Sequence, residues 1–341
     1  MRVWFCVAGS AWAIAVVAVS IITVIAPQRD GWLALAEVGM PFLFVSVLPF
    51  VLPALLSVPS AAGRHARGWR AVLRVSLVIA VAVAVIRFGP VWFSMPPGDV
   101  TGATVGVTSW NLETGQADPT AVVQEIRDVS TGVVGLVELA RRDADPIRAD
   151  AQIRARFPYQ LLFPRDDSLG MGLLSSYPIV ESGRIADDPP VVWARLDLGG
   201  GQMLHVVVAH PLPASWHNLG PLPIPMDYDP TIRDGQIRTL RRTVDLLLAG
   251  GQPLILAGDF NVTDREPAYA DLAAGLRDAQ LDVGLGPGST WRPDEMKWLP
   301  LGIVRIDMAF GGNGVRPVSM TVDCTPRGSD HCLVRASMAL P

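Results

Sequence analysis

PLILAGDFN, residues 253–261, is the stretch of sequence that decides the fold. Its continuous apolar run predicts a β-strand that is buried on both faces and ends at Asp259. A buried carboxylate at a strand end can orient and deprotonate an attacking water, and Asn261 projects from the same face two residues further on. Asp259 and Asn261 are therefore a candidate catalytic pair.

Five further segments also place polar side chains at the end of a predicted strand. They are SWNLE (109–113), with Asn111 and Glu113; VVGLVEL (133–139), with Glu138; VVVAH (206–210), with His210; RID (305–307), with Asp307; and SDH (329–331), with Asp330 and His331. A packed sheet that brings several such ends to one edge assembles a single polar site there. The sequence therefore predicts one active site built from all six segments.

Hard oxygen ligands are what a site for Mg²⁺ requires, and the same ligands suit Mn²⁺ as the alternative ion. Glu138 and Asp330 are candidate metal ligands of this kind. Asn111 and Glu113 lie two residues apart on one face of a strand end, so they are candidates for a metal-bound water or a further ligand position. Taken alone, Glu113 is better explained as a solvated carboxylate.

Two histidines complete the candidate site. His331 can stabilise or protonate a phosphoryl oxygen, and Asp307 is the candidate partner that fixes its tautomer and supports its charge. His210 stands before Pro211 and has two interpretations, a member of the site or a satisfied, half-buried imidazole. Together the residues indicate in-line attack of water on a phosphoryl group.

Helix and strand patterns alternate in two successive halves after residue 98. This order favours an α/β fold, a four-layer α-β-β-α sandwich in which two packed sheets are flanked by helices. Asp-Pro pairs at 118–119, 145–146 and 229–230 predict three helix starts, with the helices running to about residues 128, 156 and 248.

The first 97 residues are a separate, apolar region. A hydrophobic fraction of 50% and a mean hydropathy of +0.34 are too high for a soluble domain of 341 residues, and the excess lies in this region. Transmembrane helices are predicted at about 3–26, 38–58 and 71–93, the second kinked by prolines. A cleaved signal peptide is the alternative for the first. The predicted domains are a membrane anchor, 1–97, and a catalytic domain, 98–341, joined by the linker 95–98.

Basic residues in the short loops predict how the chain crosses the membrane. Arg64, Arg67, Arg70 and Arg74 mark the connection between the second and third spans as cytoplasmic. With Arg2 also inside, the third helix exits outward. The predicted location is therefore the cell membrane, as a multi-pass protein whose catalytic domain lies on the extracytoplasmic side.

Charge separates the two regions as well. Of the 28 Lys and Arg and the 32 Asp and Glu, only seven and two lie before residue 98, so the remainder has a net charge of −9. Affinity for nucleic acid comes largely from basic residues that neutralise phosphates, so an acidic domain makes nucleic acid an improbable partner. The charge favours a small or lipid-borne phosphorylated substrate and leaves the oligomeric state open.

Two further features stand near the predicted site. The insertion 211–229 contains five prolines, and its Trp216 is a candidate for contact with a lipid tail or the membrane interface, or else packs over the sheet edge. His217 is a candidate phosphate contact. Cys324 and Cys332 flank the SDH segment, and they are either a disulfide or two buried thiols.

These motifs resemble the endonuclease/exonuclease/phosphatase superfamily over about residues 103–340. The resemblance implies metal-site roles for Asn111 and Glu138, a phosphate contact for His210, and a place near the metal for Asp330. It also implies that Asp259 and Asn261 act on the nucleophile and transition state and that Asp307 supports His331, while Glu113 matches its position more loosely. The three spans and the acidic domain further resemble VanJ-type membrane proteins associated with teicoplanin resistance, which implies action on lipid pyrophosphates.

The expected activity is thus that of a membrane-tethered, extracytoplasmic, metal-dependent phosphoesterase. Its expected substrate is a phosphate or pyrophosphate ester of a lipid-linked envelope intermediate. A phospholipase C or sphingomyelinase-like phosphodiesterase and an extracellular nuclease are the enzymatic alternatives. A non-catalytic lipid-binding protein is the alternative of another class, and it predicts gaps among the acid, amide and imidazole positions.

Overall fold

The computed structural model describes residues 2–56, 64–92, 102–218 and 225–341. They belong to two units, of which the first comprises Met1–Phe93, Ser215–Asp229 and Arg265–Pro267, and the second comprises Ser94–Ala214, Pro230–Asp264 and Ala268–Pro341. The predicted boundary between residues 97 and 98 and the linker 95–98 lie outside the described residues.

The first unit contains two helices that are long and apolar enough to cross a membrane, Val3–Ile25 and His65–Trp92. Its helices are α1 Val3–Ile25, α2 Gly31–Val38, α3 Met40–Val45, α4 Leu48–Leu56 and α5 Arg64–Phe88, which a 3-10 turn Gly89–Trp92 extends. The two apolar helices occupy the positions of the predicted spans 3–26 and 71–93, although residue 93 is not among those described. The strands β8 Ser215–Asn218 and β9 Pro225–Asp229 form a two-stranded sheet in the same unit.

The middle span predicted at 38–58 is not a single helix. Gly31–Val38 and Met40–Leu56 are bent by 71° at their junction, so length and composition allow two spans, or three if the bent pair is one span. Pro41 explains the break, because its ring lacks an N–H and clashes with the carbonyl of Glu37 one turn earlier. Arg265 of the same unit donates to the carbonyls of Glu37 (Nε, 3.2 Å) and Val38 (Nη2, 3.0 Å), which this break frees.

The second unit consists of two six-stranded mixed sheets flanked by helices. The first sheet has the order β13-β14-β1-β2-β4-β3 and the second the order β11-β12-β10-β7-β6-β5. The strands are β1 Thr104–Asn111, β2 Val133–Val137, β3 Tyr159–Phe163, β4 Met171–Ser175, β5 Ile179–Ile185, β6 Val191–Asp197, β7 Met203–Ala209, β10 Leu254–Asp259, β11 Arg277–Asp278, β12 Asp307–Gly312, β13 Arg316–Asp323 and β14 Leu333–Ala339. The helices are α6 Pro119–Asp128, α7 Arg141–Ala149, α8 Ala151–Arg156, α9 Thr231–Ala249, α10 Pro267–Ala273 and α11 Ala279–Val283.

Three apolar cores hold these layers together. Alternate residues of β1 and β2 pack with those of β7 and β10 between the sheets, in a core that includes Val107 and Val206. The opposite face of the first sheet is covered by α6, α7 and α8 around Trp110, and that of the second sheet by α9 and α10 around Phe260. The prediction of an α/β sandwich of two packed sheets with helices outside is therefore confirmed.

Two of the three predicted helix starts are confirmed and one is wrong. Asp118 caps α6 by accepting a hydrogen bond from the Thr120 backbone N–H (2.9 Å), and α9 begins directly after Pro230. At the third position the helix α7 already begins at Arg141 and contains Pro146. Burial of Ala144 and Ile147 on the inner face of α7 outweighs the backbone preference of the proline, because packing decides most helical stability in proteins.

Candidate active site

Parallel pairing within each sheet brings the predicted site residues to one edge. β1 ends at Asn111, and its parallel neighbour β2 ends directly before Glu138. β10 ends at Asp259, and its parallel neighbour β7 ends directly before His210. Asp307 begins the antiparallel strand β12 and is the register partner of Asp259. The end of each strand therefore sets the position of the polar residue on or after it.

The glycine of the GDFN segment has a steric role. A Cβ atom on Gly258 would lie 2.1 Å from the carbonyl oxygen of Ala209 on β7, and its φ of +145° is one that side-chain-bearing residues rarely adopt. Glycine at this position therefore lets β7 and β10 approach where Asp259 and His210 emerge.

Four site residues adopt a left-handed backbone conformation. The φ angles are +52° for Glu113, +46° for Thr114, +53° for Glu138 and +50° for Asn261. Non-glycine residues in this region cost on the order of 1–3 kcal/mol each and persist where the surroundings fix them, often at functional sites. The turns after β1, β2 and β10 therefore aim these side chains at a cost in backbone energy.

Asp259 is the centre of the site. Its Oδ2 accepts a hydrogen bond from Asn111 Nδ2 (3.0 Å) and lies 3.6 Å from both His210 Nε2 and His331 Nε2. Its Oδ1 accepts from the backbone N–H of Asn261 (2.9 Å). Burial raises the pKa of Asp259 to about 6, and the neighbouring Asp307 acts in the same direction. The carboxylate is thus ionised at neutral pH yet basic enough to accept a proton.

His331 is held by the side chain that the sequence assigned to it. Its Nδ1 lies 2.8 Å from Asp307 Oδ2, and both residues are buried. Burial alone lowers the pKa of His331, but the carboxylates of Asp307 and Asp259 outweigh burial and raise it to about 10. Thr290 Oγ1 accepts from the backbone N–H of Asp307 (3.0 Å), which fixes the start of β12. The imidazole is therefore positioned and positively charged.

His210 is fully buried at the site. It is therefore not half-buried, as one of the two interpretations of the sequence had it. Its Nδ1 lies 3.0 Å from the Ser168 carbonyl oxygen, so the proton resides on Nδ1. Its Nε2 then accepts from Asn261 Nδ2 (3.3 Å), and Asn261 Nδ2 also donates to the Pro211 carbonyl (3.0 Å). These contacts orient both the ring and the amide.

Glu138 joins the two sheets at the site. Its Oε1 accepts from Asn111 Nδ2 (3.0 Å) and lies 3.6 Å from His210 Nε2, and its Oε2 accepts from Thr114 Oγ1 (2.6 Å). The Oδ1 of Asn111 accepts from the Glu113 backbone N–H (2.8 Å). The Asn111 amide therefore directs its nitrogen at two carboxylates and uses its oxygen to hold the turn after β1.

Asp330 and Glu113 form the outer part of the site. Asp330 Oδ2 accepts from Trp291 Nε1 (2.8 Å), and its backbone N–H donates to Glu113 Oε2 (2.8 Å). Glu113 Oε1 accepts from Lys297 Nζ (2.6 Å). Burial raises the pKa of Glu113 to about 7, although the hydrogen bond from Lys297 opposes this shift. Glu113 is thus engaged on both oxygens and is not the solvated carboxylate that it would be in isolation.

Two groups in the described part of the chain bring potential ligand atoms within 4.8 Å of one another, and they are Asp259, Asp307 and His331, and Glu113, Asp294 and Asp330. In the first group the protonated His331 ring has no lone pair for a metal ion, so only its carboxylates could serve as ligands. Among the described residues, the Oδ1 atoms of Asp307 and Asp330 are buried without a hydrogen-bond partner. Such oxygens are rare in proteins, and hard oxygen donors are what Mg²⁺ prefers, so the donor set fits a divalent cation.

The remaining candidates are the two cysteines, Trp216 and His217. Cys324 and Cys332 are joined by a disulfide that closes the loop containing Asp330 and His331. Trp216 belongs to the first unit, where 55% of its surface is exposed. The side chain of His217 lies outside the described residues.

Sequence reasoning missed Thr114, Asp294 and Lys297. Thr114 and Asp294 have no pattern that distinguishes them from other turn residues. Lys297 does carry a signal, because it is the single lysine among 28 Lys and Arg in the chain.

Two mixed sheets with acids, amides and imidazoles at one edge define a class of phosphoester-cleaving proteins. A model of the Endonuclease/Exonuclease/phosphatase family matches residues 108–331, and the chain belongs to this family. No curated protein matches the chain.

Solved structures show the same fold at low sequence identity. Truncated Caenorhabditis elegans TDP2 is 16% identical with a TM-score of 0.53, covering 71% of this chain and 100% of that one. The Bacteroides thetaiotaomicron mannosyl-6-phosphatase Bt3783 is 15% identical with a TM-score of 0.52, covering 69% and 100%. The human Nocturnin catalytic domain with bound sulfate is 16% identical with a TM-score of 0.51, covering 71% and 97%.

Proposed function

We propose that the protein is a membrane-tethered, metal-dependent phosphoesterase that acts on the phosphate or pyrophosphate of a lipid-borne envelope intermediate outside the cytoplasm. The observation that carries the proposal is the contact set of Asp259. One buried carboxylate oxygen meets Asn111 and lies 3.6 Å from His210 and His331, and Asp307 supports His331. A non-catalytic lipid-binding protein has no use for such an arrangement.

Asp259 and His331 divide the proton chemistry. Asp259 accepts the proton of the attacking water, for which a pKa of about 6 suits it at neutral pH. His331, kept protonated by Asp307, donates a charged hydrogen bond to a phosphoryl oxygen as negative charge develops there. The side-chain amide of Asn261 assists His331 at this phosphoryl oxygen. Its contacts with Pro211 and His210 orient it.

A divalent cation, Mg²⁺ or Mn²⁺, fits the carboxylates on the other side of the site. Glu138 and Asp330 are the proposed ligands, because the family resemblance implies a place at the metal for both, and Asp330 Oδ1 is buried without a hydrogen-bond partner, 3.8 Å from His331 Nε2. When bound, such an ion neutralises charge on the phosphoryl oxygens.

The lipid-borne substrate is supported by the composition of the chain. Two apolar helices long enough to span a membrane precede a region with a net charge of −9. The arginines at 64, 67, 70 and 74 favour a cytoplasmic connection between the second and third predicted spans and, with Arg2 also inside, an outward catalytic region. The resemblance to VanJ-type proteins supports the same placement and points to lipid pyrophosphates.

A substrate screen tests the proposal with full-length protein reconstituted in lipid nanodiscs. Polyprenyl pyrophosphate, phospholipid, sphingomyelin and DNA are each supplied with Mg²⁺, and inorganic phosphate, phosphorylated headgroup and cut DNA are measured. The expected result is inorganic phosphate from polyprenyl pyrophosphate that Asp259→Asn protein does not release. Release of headgroup would identify a phosphodiesterase, and strong DNA cleavage at physiological salt would contradict the charge argument; either result overturns the proposal.

A further inference from the structure

Lys297 is the only lysine in a chain with 27 arginines, and it lies in the candidate site. Its Nζ is 2.6 Å from Glu113 Oε1 and 2.8 Å from Asp294 Oδ1, and 22% of its side chain is exposed. An ammonium is a compact point charge, whereas a guanidinium is a planar fork. Lys297 is thus the one position at which the chain has lysine instead of arginine, and this lysine places a compact cation between two carboxylates.

The carboxylates around Lys297 require nearby positive charge to be ionised together. Oxygens of Glu113, Asp294 and Asp330 lie within 4.8 Å of one another, a spacing at which like charges disfavour ionisation unless a cation is present. Lys297 supplies one positive charge. The contact of Lys297 with Glu113 also affects Asp330, because the second oxygen of Glu113 accepts a hydrogen bond from the Asp330 backbone N–H (2.8 Å).

Arg292 is a second cationic side chain near this group of carboxylates. Arg292 is fully buried, and its Nη1 and Nη2 donate to Cys332 Sγ (3.0 Å) and to the Ser329 carbonyl (3.4 Å). The backbone N–H of Arg292 donates to the carbonyl oxygen of Asp330 (3.1 Å), so this cation lies against the loop that carries Asp330. Lys297 and Arg292 therefore place two fixed positive charges near the three carboxylates, and less negative charge remains to attract a second divalent ion.

We propose that Lys297 is a tethered cation that takes the place of a second metal ion at the Glu113–Asp294–Asp330 cluster and limits the site to one divalent ion. The proposal rests on the proposed metal-dependent function. Lys297 acts here as a positioning residue, because it holds the Glu113 carboxylate and, through it, the backbone of Asp330.

The test is the stoichiometry of Mn²⁺ binding to the full-length protein, measured from the electron paramagnetic resonance signal of free Mn²⁺. Wild-type protein is expected to bind one ion. Lys297→Met, which keeps the length of the side chain but removes its charge, is expected to bind two, with the second within about tenfold of the first in affinity. Lys297→Arg and the double variant Lys297→Met/Asp294→Asn are expected to return to one.

Arg241→Met is the matched control. Arg241 Nη2 lies 2.6 Å from Asp245 on α9, so its loss removes an equally close ion pair elsewhere in the second unit and is expected to leave the stoichiometry at one. Thermal melting checks that each variant is folded. If Lys297→Met does not fold, the number of Mn²⁺ ions bound by wild-type protein decides the test, and two ions would overturn the proposal.

The outcomes separate this proposal from the proposed function. Two ions bound by wild-type protein, or one ion bound by folded Lys297→Met, would overturn the role of Lys297 while leaving a metal-dependent hydrolase intact. No ion bound by wild-type protein, together with activity that a chelator does not affect, would overturn both.

Discussion

The two acidic groups of the site differ in how their charge is matched. Asp259 and Asp307 are buried and face the imidazole of His331, whereas Glu113, Asp294 and Asp330 are more exposed and face Lys297 and Arg292. Burial raises the pKa of Asp259 to about 6 and that of Glu113 to about 7, so the direction of the shift does not distinguish the groups. Their partners do.

Both carboxylates accept a hydrogen bond on each oxygen, but the donors differ. The donors to Asp259 are the neutral Asn111 amide and the Asn261 backbone N–H, which leaves Asp259 able to accept a proton. One oxygen of Glu113 is held by the Lys297 ammonium and the other by a backbone N–H, so this carboxylate is tied to a positive charge. The comparison teaches that the inner group carries the proton chemistry and the outer group controls cation binding.

Asp259→Asn is expected to have the largest effect. The amide cannot accept a proton from the attacking water, and loss of a positioned base lowers kcat by about 10⁴-fold, the upper end of the usual range. Turnover of the identified substrate by purified protein measures the loss. Asp145→Asn, which changes an exposed carboxylate on α7, is the control and is expected to retain full activity. Activity of Asp259→Asn within tenfold of wild type would remove the inner group from the chemistry.

Asp307→Asn is expected to lower kcat about 10²-fold, because His331 keeps a hydrogen-bonding partner but loses the charge that supports its protonated form. The pKa of His331 falls from about 10 towards its ordinary value, so the alkaline loss of activity moves to lower pH. Comparison of the pH profiles of variant and wild type measures the shift. An unchanged alkaline limb would contradict the support of His331 by Asp307.

The pH dependence of the wild-type enzyme tests Asp259 without a substitution. The pKa of Asp259 is raised to about 6, and the proton acceptor must be ionised, so kcat/KM is expected to fall about tenfold per pH unit as the pH drops below about 6. A profile that stays level down to pH values near 4, the ordinary carboxyl range, would show that Asp259 is not the base.

Removal of the disulfide is expected to have the smallest effect on activity. The double variant Cys324→Ser/Cys332→Ser opens a bridge with a sequence separation of 8. Loop-closure entropy predicts a loss of about 2.5 kcal/mol in the free energy of unfolding, or a fall in Tm of roughly 5–10 °C. Activity below the new Tm should fall no more than a few-fold. A loss of 10²-fold would mean that the bridge positions Asp330 and His331 directly.

The inner group could be predicted from sequence because its members adjoin regular strands: Asp259 ends β10, Asp307 begins β12, and His331 precedes β14. An apolar run followed by an acid, amide or imidazole fixes both the strand and the edge where the side chain emerges, as at Asp259 and His210. The need of an imidazole for a partner that fixes its tautomer predicted the pairing of His331 with Asp307, and the resemblance to a known family implies the same pair.

The outer group could be predicted only in part, because Glu113 and Asp330 belong to sequence motifs whereas Asp294 and Lys297 do not. Lys297 lies 184 residues from Glu113 and follows a short 3-10 turn without any periodic pattern, so only tertiary packing brings the two together. The two proline predictions had different outcomes. The middle span, predicted to be kinked by its prolines, is bent at the helix junction beside Pro41, whereas the helix start predicted at Asp145-Pro146 is wrong because α7 continues through Pro146. The effect of a proline depends on the packing around it, which the sequence does not show.

The most direct test of the central claim is hydrolysis of p-nitrophenyl phosphate and bis(p-nitrophenyl) phosphate by full-length wild-type protein before chelation, after chelation, and after Mg²⁺ is returned. The account predicts turnover of at least one of the two that chelation abolishes and Mg²⁺ restores, with none from Asp259→Asn under any of the three conditions. Turnover that survives chelation, or that Asp259→Asn retains, would contradict a metal-dependent phosphoesterase centred on Asp259.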